Sequence, residues 1–299
     1  PASSCHAQLE MPTIVQNWWP QFLNGTRHPP PCVGICPRIR SIERTPTTMQ
    51  PDKSRTDRAS LVARLGDVIP LDLTVTSTAM VSPALRRIDL AGDALVGLTI
   101  LPGQDLMVAV ADGTGPRRRY SICDHDPVLG TASLLIVDHD QGEGAAWTRS
   151  LTVGDVIDAV GPRGKQVVQQ SATTHLFVGE ASSFGATQSM AESITEGTVL
   201  VVLAVANLED ALPLHLVAPA TSIHVVEAAP GDAAPIVNEL SELDLATEGL
   251  AVYVNAEFSV VRAVKSALMD RGIPEAAIAT KAYWRQGRAN AVHGEPPKD

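Results

Sequence analysis

What this chain has least of narrows it most. Aromatic residues make up 4% of its 299 positions, so Val, Leu, Ile and Ala must build any core. No apolar run approaches the ~18 residues that a membrane-crossing helix needs, so no membrane span is expected. The start has no positive stretch leading into an apolar one, so no secretory signal is read. There are four cysteines, and three of them (Cys5, Cys32, Cys36) lie in an unusual leader. The Cys32/Cys36 spacing fits no standard zinc pattern, and no His/Cys pair follows to complete one. A reducing, cytoplasmic setting is expected. Positive charge is short as well: 23 Lys and Arg stand against 33 Asp and Glu, a net charge of −10. That balance argues against a general nucleic-acid binder. No Ser/His/Asp arrangement emerges, so a hydrolase would rest on single residues.

What is present divides into stretches of different character. A chain of this length that is 44% hydrophobic is enough for about two domains with real cores. Residues 1–60 stand apart, with Trp18-Trp19-Pro20, Pro29-Pro30-Pro31 and no sustained period. They read as a disordered leader. Met49 is a candidate natural start, which an intact-mass measurement on natively expressed protein would check.

Residues 61–170 read as strands. Leu71–Thr76 alternates, then come 87–90, 105–110, 120–123, 132–137 and 154–161, separated by turns such as Gly92-Asp93 and Pro102-Gly103. Short strands at regular spacing imply a small antiparallel barrel. Over residues 171–290 the rhythm changes. Strands at 175–179, 198–205, 222–226 and 249–254 alternate with helices at 186–194, 235–240 and 258–271. Thr198–Val205 is almost continuously apolar, as in a strand buried on both faces. Alternation of this kind means a parallel sheet with helical crossovers. Residues 291–299 form a tail.

Several stretches carry chemistry, each beside a plain structural alternative. In Arg117-Arg118-Arg119-Tyr120-Ser121, which follows the turn run Asp112–Pro116, a strand would put Arg118 and Tyr120 on one face. A ring beside a guanidinium suits a flat, electron-poor cofactor with a phosphate tail, and Ser121 could reach a ring nitrogen. The alternative is an exposed basic hairpin. Asp140–Trp147 joins a strand to a helix through Gly142 and Gly144, and a helix mouth suits a pyrophosphate; it is equally a plain helix entry. His139 stands next to it. Gly161-Pro162-Arg163-Gly164-Lys165 offers two cations to a cofactor edge or an anionic substrate, or is a hairpin with solvated charges. Gly179 and Ser182 follow the first parallel strand, where open sheets bind ligands, although no G-x-G-x-x-G is present. For Ser182 and Glu257 capping a helix is the default role, beside contact with a phosphate or cofactor. Tyr283-Trp284-Arg285 would cover a ring or receive an anion, or anchor a last strand.

Taken in order, these segments resemble the siderophore-interacting proteins, a branch of the ferredoxin-reductase-like flavoproteins. The resemblance runs from about Ile69 to Gly287. Arg118, Tyr120 and Ser121 match the family's Arg-x-Tyr-Ser/Thr flavin motif. His139, Gly142, Gly144 and Trp147 match its strand-ending His, glycine loop and Trp-bearing helix. Gly154, Asp155 and Gly161–Gly164 match Gly-Asp and Gly-Pro-Arg-Gly, and Tyr283, Trp284, Arg285 and Gly287 match the closing motif. The sequence departs from the family at Cys123, where a second Arg is usual, and at Gly179-Glu180-Ala181-Ser182-Ser183, where Gly-Asp-Glu-Thr-Ala is usual.

The resemblance implies a six-stranded antiparallel FAD-binding barrel followed by an open parallel-sheet nucleotide-binding domain. It implies an FAD-dependent enzyme that takes hydride from NADH or NADPH and reduces a ferric siderophore. Arg118, Tyr120, Ser121, His139, Gly142, Gly144, Ala145 and Trp147 would hold FAD. Gly179, Ser182 and Glu257 would face the nucleotide, and Arg163, Lys165 and Arg285 the siderophore. A monomer is expected. A reductase feeding another carrier, or a flavin or siderophore binder without catalysis, are the alternatives; the first would gain from a C-x₄-C-x₂-C cluster set, which is missing.

Overall fold

The computed structural model describes residues 62, 68–110, 117–139, 142–211 and 221–288. The expected leader over 1–60, the tail over 291–299, the turn run Asp112–Pro116 and the first two residues of the glycine loop, Asp140 and Gln141, lie outside the described residues.

Six strands, β1 (Ile69–Met80), β2 (Leu85–Ala91), β3 (Asp105–Ala109), β4 (Arg117–Asp126), β5 (Thr131–Val137) and β6 (Val156–Arg163), form a closed antiparallel barrel in the order β1-β2-β5-β4-β3-β6. The alternation read in β1 has its physical consequence here. Leu71, Leu73 and Val75 are fully buried in the barrel interior with Ile88, Leu90, Leu106, Val108 and Leu134, while Asp72 and Thr74 face outward. Each such aliphatic side chain contributes about 1.5–3 kcal/mol of burial. With so few aromatics, the interior is filled almost wholly by these residues. A helix, α1 (Glu143–Ser150), leaves β5 through the glycine loop and packs Trp147 onto the barrel.

The second half is a five-stranded parallel sheet in the order β11-β10-β7-β8-β9, made of β7 (Thr174–Glu180), β8 (Thr198–Val205), β9 (Thr221–Glu227), β10 (Leu250–Glu257) and β11 (Ile278–Trp284). Helix α2 (Phe184–Glu192) covers one face, and α3 (Ala234–Glu242) and α4 (Phe258–Asp270) cover the other. From β7 the chain steps outward through β8 to β9, then returns to lay β10 and β11 on the other side. The order therefore reverses between β7 and β10, the place where such sheets hold their ligands. The sequence pattern ends β10 at Val254, yet the strand runs on to Glu257 and all eight of its residues are buried. Asn255 and Glu257 have poor intrinsic strand preference, but pairing with β7 and β11 on both sides overrides it. Gly161–Lys165 is not a hairpin: β6 continues through Arg163, and the chain leaves the barrel there for β7.

A third core lies between the barrel and the sheet. Leu85, Cys123 and Leu135 from the barrel share one cluster with Phe177, Phe184, Met190 and Tyr253. Helix α2 lies against β4: a Cβ at Gly185 would stand 3.3 Å from the Ser121 carbonyl oxygen and 3.4 Å from Cys123 Cβ. Polar ties flank this core. Asp210, 1% exposed, accepts from Ser82 Oγ at 3.2 Å and from the Ala84 N–H at 2.9 Å. Lys281 on β11 donates to Asp105 on β3 at 3.0 Å. An apolar joint with buried ties holds the two parts at a fixed spacing, and the cleft between them is where the motifs meet. No helix among the described residues is long and apolar enough to cross a membrane.

Candidate functional site

Strand alternation does for β4 what the motif demands. Arg118 and Tyr120 turn toward one cleft, while the guanidinium of Arg119 turns to the buried carboxylate of Asp105, which also takes Lys281. The Tyr120 ring lies nearly parallel to the Trp147 indole, at 12° and 5.9 Å between centroids. Burial pushes the Tyr120 hydroxyl pKa up, so it stays protonated. A helix from the glycine loop thus supplies the backing for a ring presented by a strand.

The mouth of α1 opens into the same cleft. Gly142 sits at φ 92°, a left-handed conformation that costs other residues energy, and no side chain among the described residues caps the helix behind it. The first-turn N–H groups therefore keep their capacity for an anion. At Gly144 the need is space: a Cβ there would lie 2.9 Å from Tyr120 Oη and 3.6 Å from Arg118 Cγ. The Glu143 carboxylate stands 3.4 Å from Arg118 Nη2, an exposed pair worth about 0–1 kcal/mol and easily displaced.

The far wall comes from the end of β11. Tyr283 Oη lies 3.0 Å from Ser121 Oγ, so the last strand of the sheet touches the barrel motif directly. Lys281 lies 4.9 Å from the Tyr283 ring centroid, and Arg285 lies 4.7 Å from that of Phe258. The cleft has a volume of about 340 Å³. Among the described residues, four arginines line it (Arg118, Arg119, Arg285, Arg288) against one acid, Glu143. A chain of net charge −10 thus has a locally positive cleft.

Of the residues singled out from sequence, Arg118, Tyr120, Ser121, His139, Gly142, Gly144, Ala145, Ser182 and Arg285 line this cleft. Trp147 lies behind it. Gly179 and Glu257 stand at the ends of β7 and β10, where a Cβ on Gly179 would collide with Ser183 Oγ at 2.1 Å and the Asn255 carbonyl oxygen at 2.8 Å. Glu257 caps α4 through the Ser259 and Val260 N–H groups. Burial alone would raise its pKa, but hydrogen bonds from Ser259, Gln286 and Val260 hold it below the usual carboxylate range. Arg163 and Lys165 are not among the lining residues; Arg163 Nη1 reaches Met107 Sδ at 2.7 Å instead. Arg288, which lines the cleft, and Glu180 were not among the candidate residues read from sequence. Glu180 accepts from Ser182 Oγ at 2.9 Å and from Trp284 Nε1. Its pKa is raised by burial, partly offset by those bonds. The available signal was an acid placed directly after the strand-ending glycine.

Comparison with known proteins fits this geometry. Residues 72–167 match the family model of the oxidoreductase FAD-binding domain, and residues 172–287 match that of the siderophore-interacting protein. The fold is similar to that of a siderophore utilization protein from T. fusca, with 21% identity, 76% of this chain and 96% of that one covered, and a TM-score of 0.67. It is similar also to the siderophore-interacting protein SipS from Aeromonas hydrophila, with 21% identity, 74% and 93% covered, and a TM-score of 0.65. A ferredoxin-NADP+ reductase mutant from Plasmodium falciparum shares the fold at 15% identity, 72% and 96% covered, with a TM-score of 0.60. The barrel of this chain therefore matches the oxidoreductase FAD-binding domain, and the sheet that follows it matches the siderophore-interacting protein family.

Proposed function

We propose that the chain is an FAD-dependent oxidoreductase that takes a hydride from NADH or NADPH and reduces ferric siderophore complexes, releasing Fe(II), in the cytoplasm. The observation that carries this reading is the single cleft shared by Arg118 and Tyr120 of β4, the uncapped mouth of α1 and the basic end of β11. Its donors fit FAD: a guanidinium and free helix N–H groups for a pyrophosphate, and the bare Gly144 surface beside a parallel Tyr120/Trp147 pair for a flat ring. Bound FAD would supply the exchange between a two-electron hydride donor and a one-electron acceptor such as Fe(III).

The chain's own residues orient and attract. Arg118 exchanges Glu143 for phosphate. Tyr120, held by Trp147, sets the plane of the ring, and Ser121, steadied by Tyr283, offers a hydroxyl at its edge. His139, Gly142 and Ala145 line the tail side. Gly179, Ser182 and Glu257 mark the nucleotide side, at the ends of β7 and β10. Arg285 and Arg288 meet an anionic siderophore at the cleft, and Arg163 and Lys165 add positive potential from the end of β6. Hard oxygen donors hold Fe(II) less tightly than Fe(III), so reduction frees the metal.

The test is a visible spectrum of the purified protein with FAD, then anaerobic addition of NADH or NADPH, then a ferric siderophore with an Fe(II) trap. Flavin colour, bleaching and Fe(II) formation in turn support the reading. A protein that stays colourless in excess FAD refutes it. A second reading, a flavin and siderophore binder without hydride uptake, is favoured by one observation: the Glu180 carboxylate at the nucleotide end of the sheet. Bound flavin that NADH and NADPH fail to bleach would select it.

A further inference from the structure

In an open parallel sheet, a nucleotide diphosphate is held at the start of the helix that follows the first strand, next to the reversal of strand order. Here that place is the step from β7 through a 3-10 turn (Ala181–Ser183) into α2. The chain already fills it. The Glu180 side chain accepts from the backbone N–H of Ser183 at the helix start, from Ser182 Oγ at 2.9 Å, and from Trp284 Nε1 on β11. One carboxylate thus ties the end of β7 to the end of β11 and takes up the donors that an incoming anion would need. Gly179 adds no depth, since the space where its Cβ would be is occupied by Ser183 Oγ and the Asn255 carbonyl oxygen.

The crevice nevertheless retains unspent polar capacity. Asn255, in register with Gly179, is 1% exposed, and neither its amide oxygen nor its amide nitrogen has a hydrogen-bond partner among the described residues. It alternates with Tyr253, whose ring packs in the core shared with the barrel, so it lies on the barrel-facing side of the sheet. Buried amides are costly to leave unpaired, which marks this edge as one suited to a polar ligand.

We infer that Glu180 is a specificity-determining residue: a self-ligand that occupies the diphosphate seat at the first crossover and weakens pyridine-nucleotide binding there. The inference rests on the reading of the sheet as the nucleotide side. A diphosphate entering the seat meets a like charge and must displace three hydrogen bonds, so nucleotide binding is discouraged while the barrel site for FAD is untouched.

The test uses the full chain as wild type, Glu180→Gln and Glu180→Ala, each titrated calorimetrically with NADH and NADPH, with and without FAD. Glu180→Ala empties the seat and is expected to lower Kd at least ten-fold. Glu180→Gln keeps a hydrogen-bond acceptor without the charge and is expected to lower Kd by a smaller factor. Unchanged or weaker binding in both variants, with cooperative thermal unfolding showing that both are folded, overturns the inference. Should Glu180→Ala fail to fold, Glu180→Gln decides alone, and an unchanged Kd overturns it. Failure of the functional reading shows separately, as a wild type that takes up no FAD, because titration of the FAD-free protein still reports on Glu180.

Discussion

Replacing Gly144 by alanine sets two effects against each other, and the structure says which wins in which assay. Alanine favours a helix over glycine by about 1 kcal/mol, somewhat less in a first turn. The new Cβ would stand 2.9 Å from Tyr120 Oη, closer than real contacts allow. The ring cannot simply swing aside, because the buried Trp147 indole lies parallel to it. Tyr120 must tilt instead, and strain of this kind costs roughly 1–3 kcal/mol. The net change in stability is therefore small, about 1 kcal/mol toward destabilisation, or a few degrees in Tm. FAD affinity has no such offset. A displaced ring gives up much of a stacking contact worth about 0.5–1.5 kcal/mol, and the methyl stands where a phosphate would approach the helix N–H groups. A total near 1.5 kcal/mol corresponds to about ten-fold in Kd. Flavin fluorescence quenching gives Kd, and thermal unfolding of the FAD-free protein gives Tm. An unchanged FAD Kd in Gly144→Ala refutes the claim that this glycine makes room for the cofactor. A collapsed Tm refutes the claim that the strain is local.

Further predictions concern the scaffold. Asp105, 1% exposed, is shared by Arg119 and Lys281, so Asp105→Ala leaves two partly buried cations without their anion. The expected loss is about 3–5 kcal/mol in urea unfolding at neutral pH, and a loss under 1 kcal/mol would show that the joint does not depend on this carboxylate. Burial lowers the pKa of His175 below 6.5, partly offset by a bond to the Ala172 backbone. The unfolded chain then binds more protons in that window, so stability is expected to fall as pH drops from about 6.5 toward the folded-state value, by at most ~1.4 kcal/mol per pH unit. His175→Phe should flatten that slope between pH 7 and 5; an unaltered slope removes His175 as its source. Burial pushes the Cys123 thiol up to about 12. Native protein at pH 8 should therefore give the same thiol count with a thiol reagent in wild type and Cys123→Ser, the difference of one appearing only on unfolding.

The barrel side of the cleft was legible because its parts are local in sequence. Arg118, Tyr120 and Ser121 are near neighbours on one strand, and the period of two decides which of them share a face. Gly142 and Gly144 belong to a single loop-helix junction. On the opposite wall, Ser182 and Arg285 were singled out, but its contacts resisted reading because they join distant segments: Glu180 meets Trp284 across 104 positions, and Ser121 meets Tyr283 across 162. Sequence offers no period for such meetings; they are made by strand order and register, including the shift that sets Glu257 opposite Trp284. The same reason explains Arg163 and Lys165. Their motif is compact and basic, but β6 closes the barrel against β1 and β3, and they fall outside the cleft lining.

Charge shows the difference between composition and placement. A whole-chain value of −10 argues against anionic ligands, yet the topology gathers Arg118 and Arg119 from β4 with Arg285 and Arg288 beyond β11 around one opening. Arg119 is then neutralised by Asp105, and Arg118 is only lightly held by exposed Glu143. What remains for ligands is Arg118 at the helix mouth and the Arg285/Arg288 pair on the far wall. The cleft thus carries two separate positive groups, which the proposed function assigns to a cofactor tail and a substrate. At the end of β7 the chain supplies its own anion, Glu180, instead. On the proposed reading, such an arrangement would grip FAD and an anionic siderophore by charge and leave a pyridine nucleotide to bind weakly.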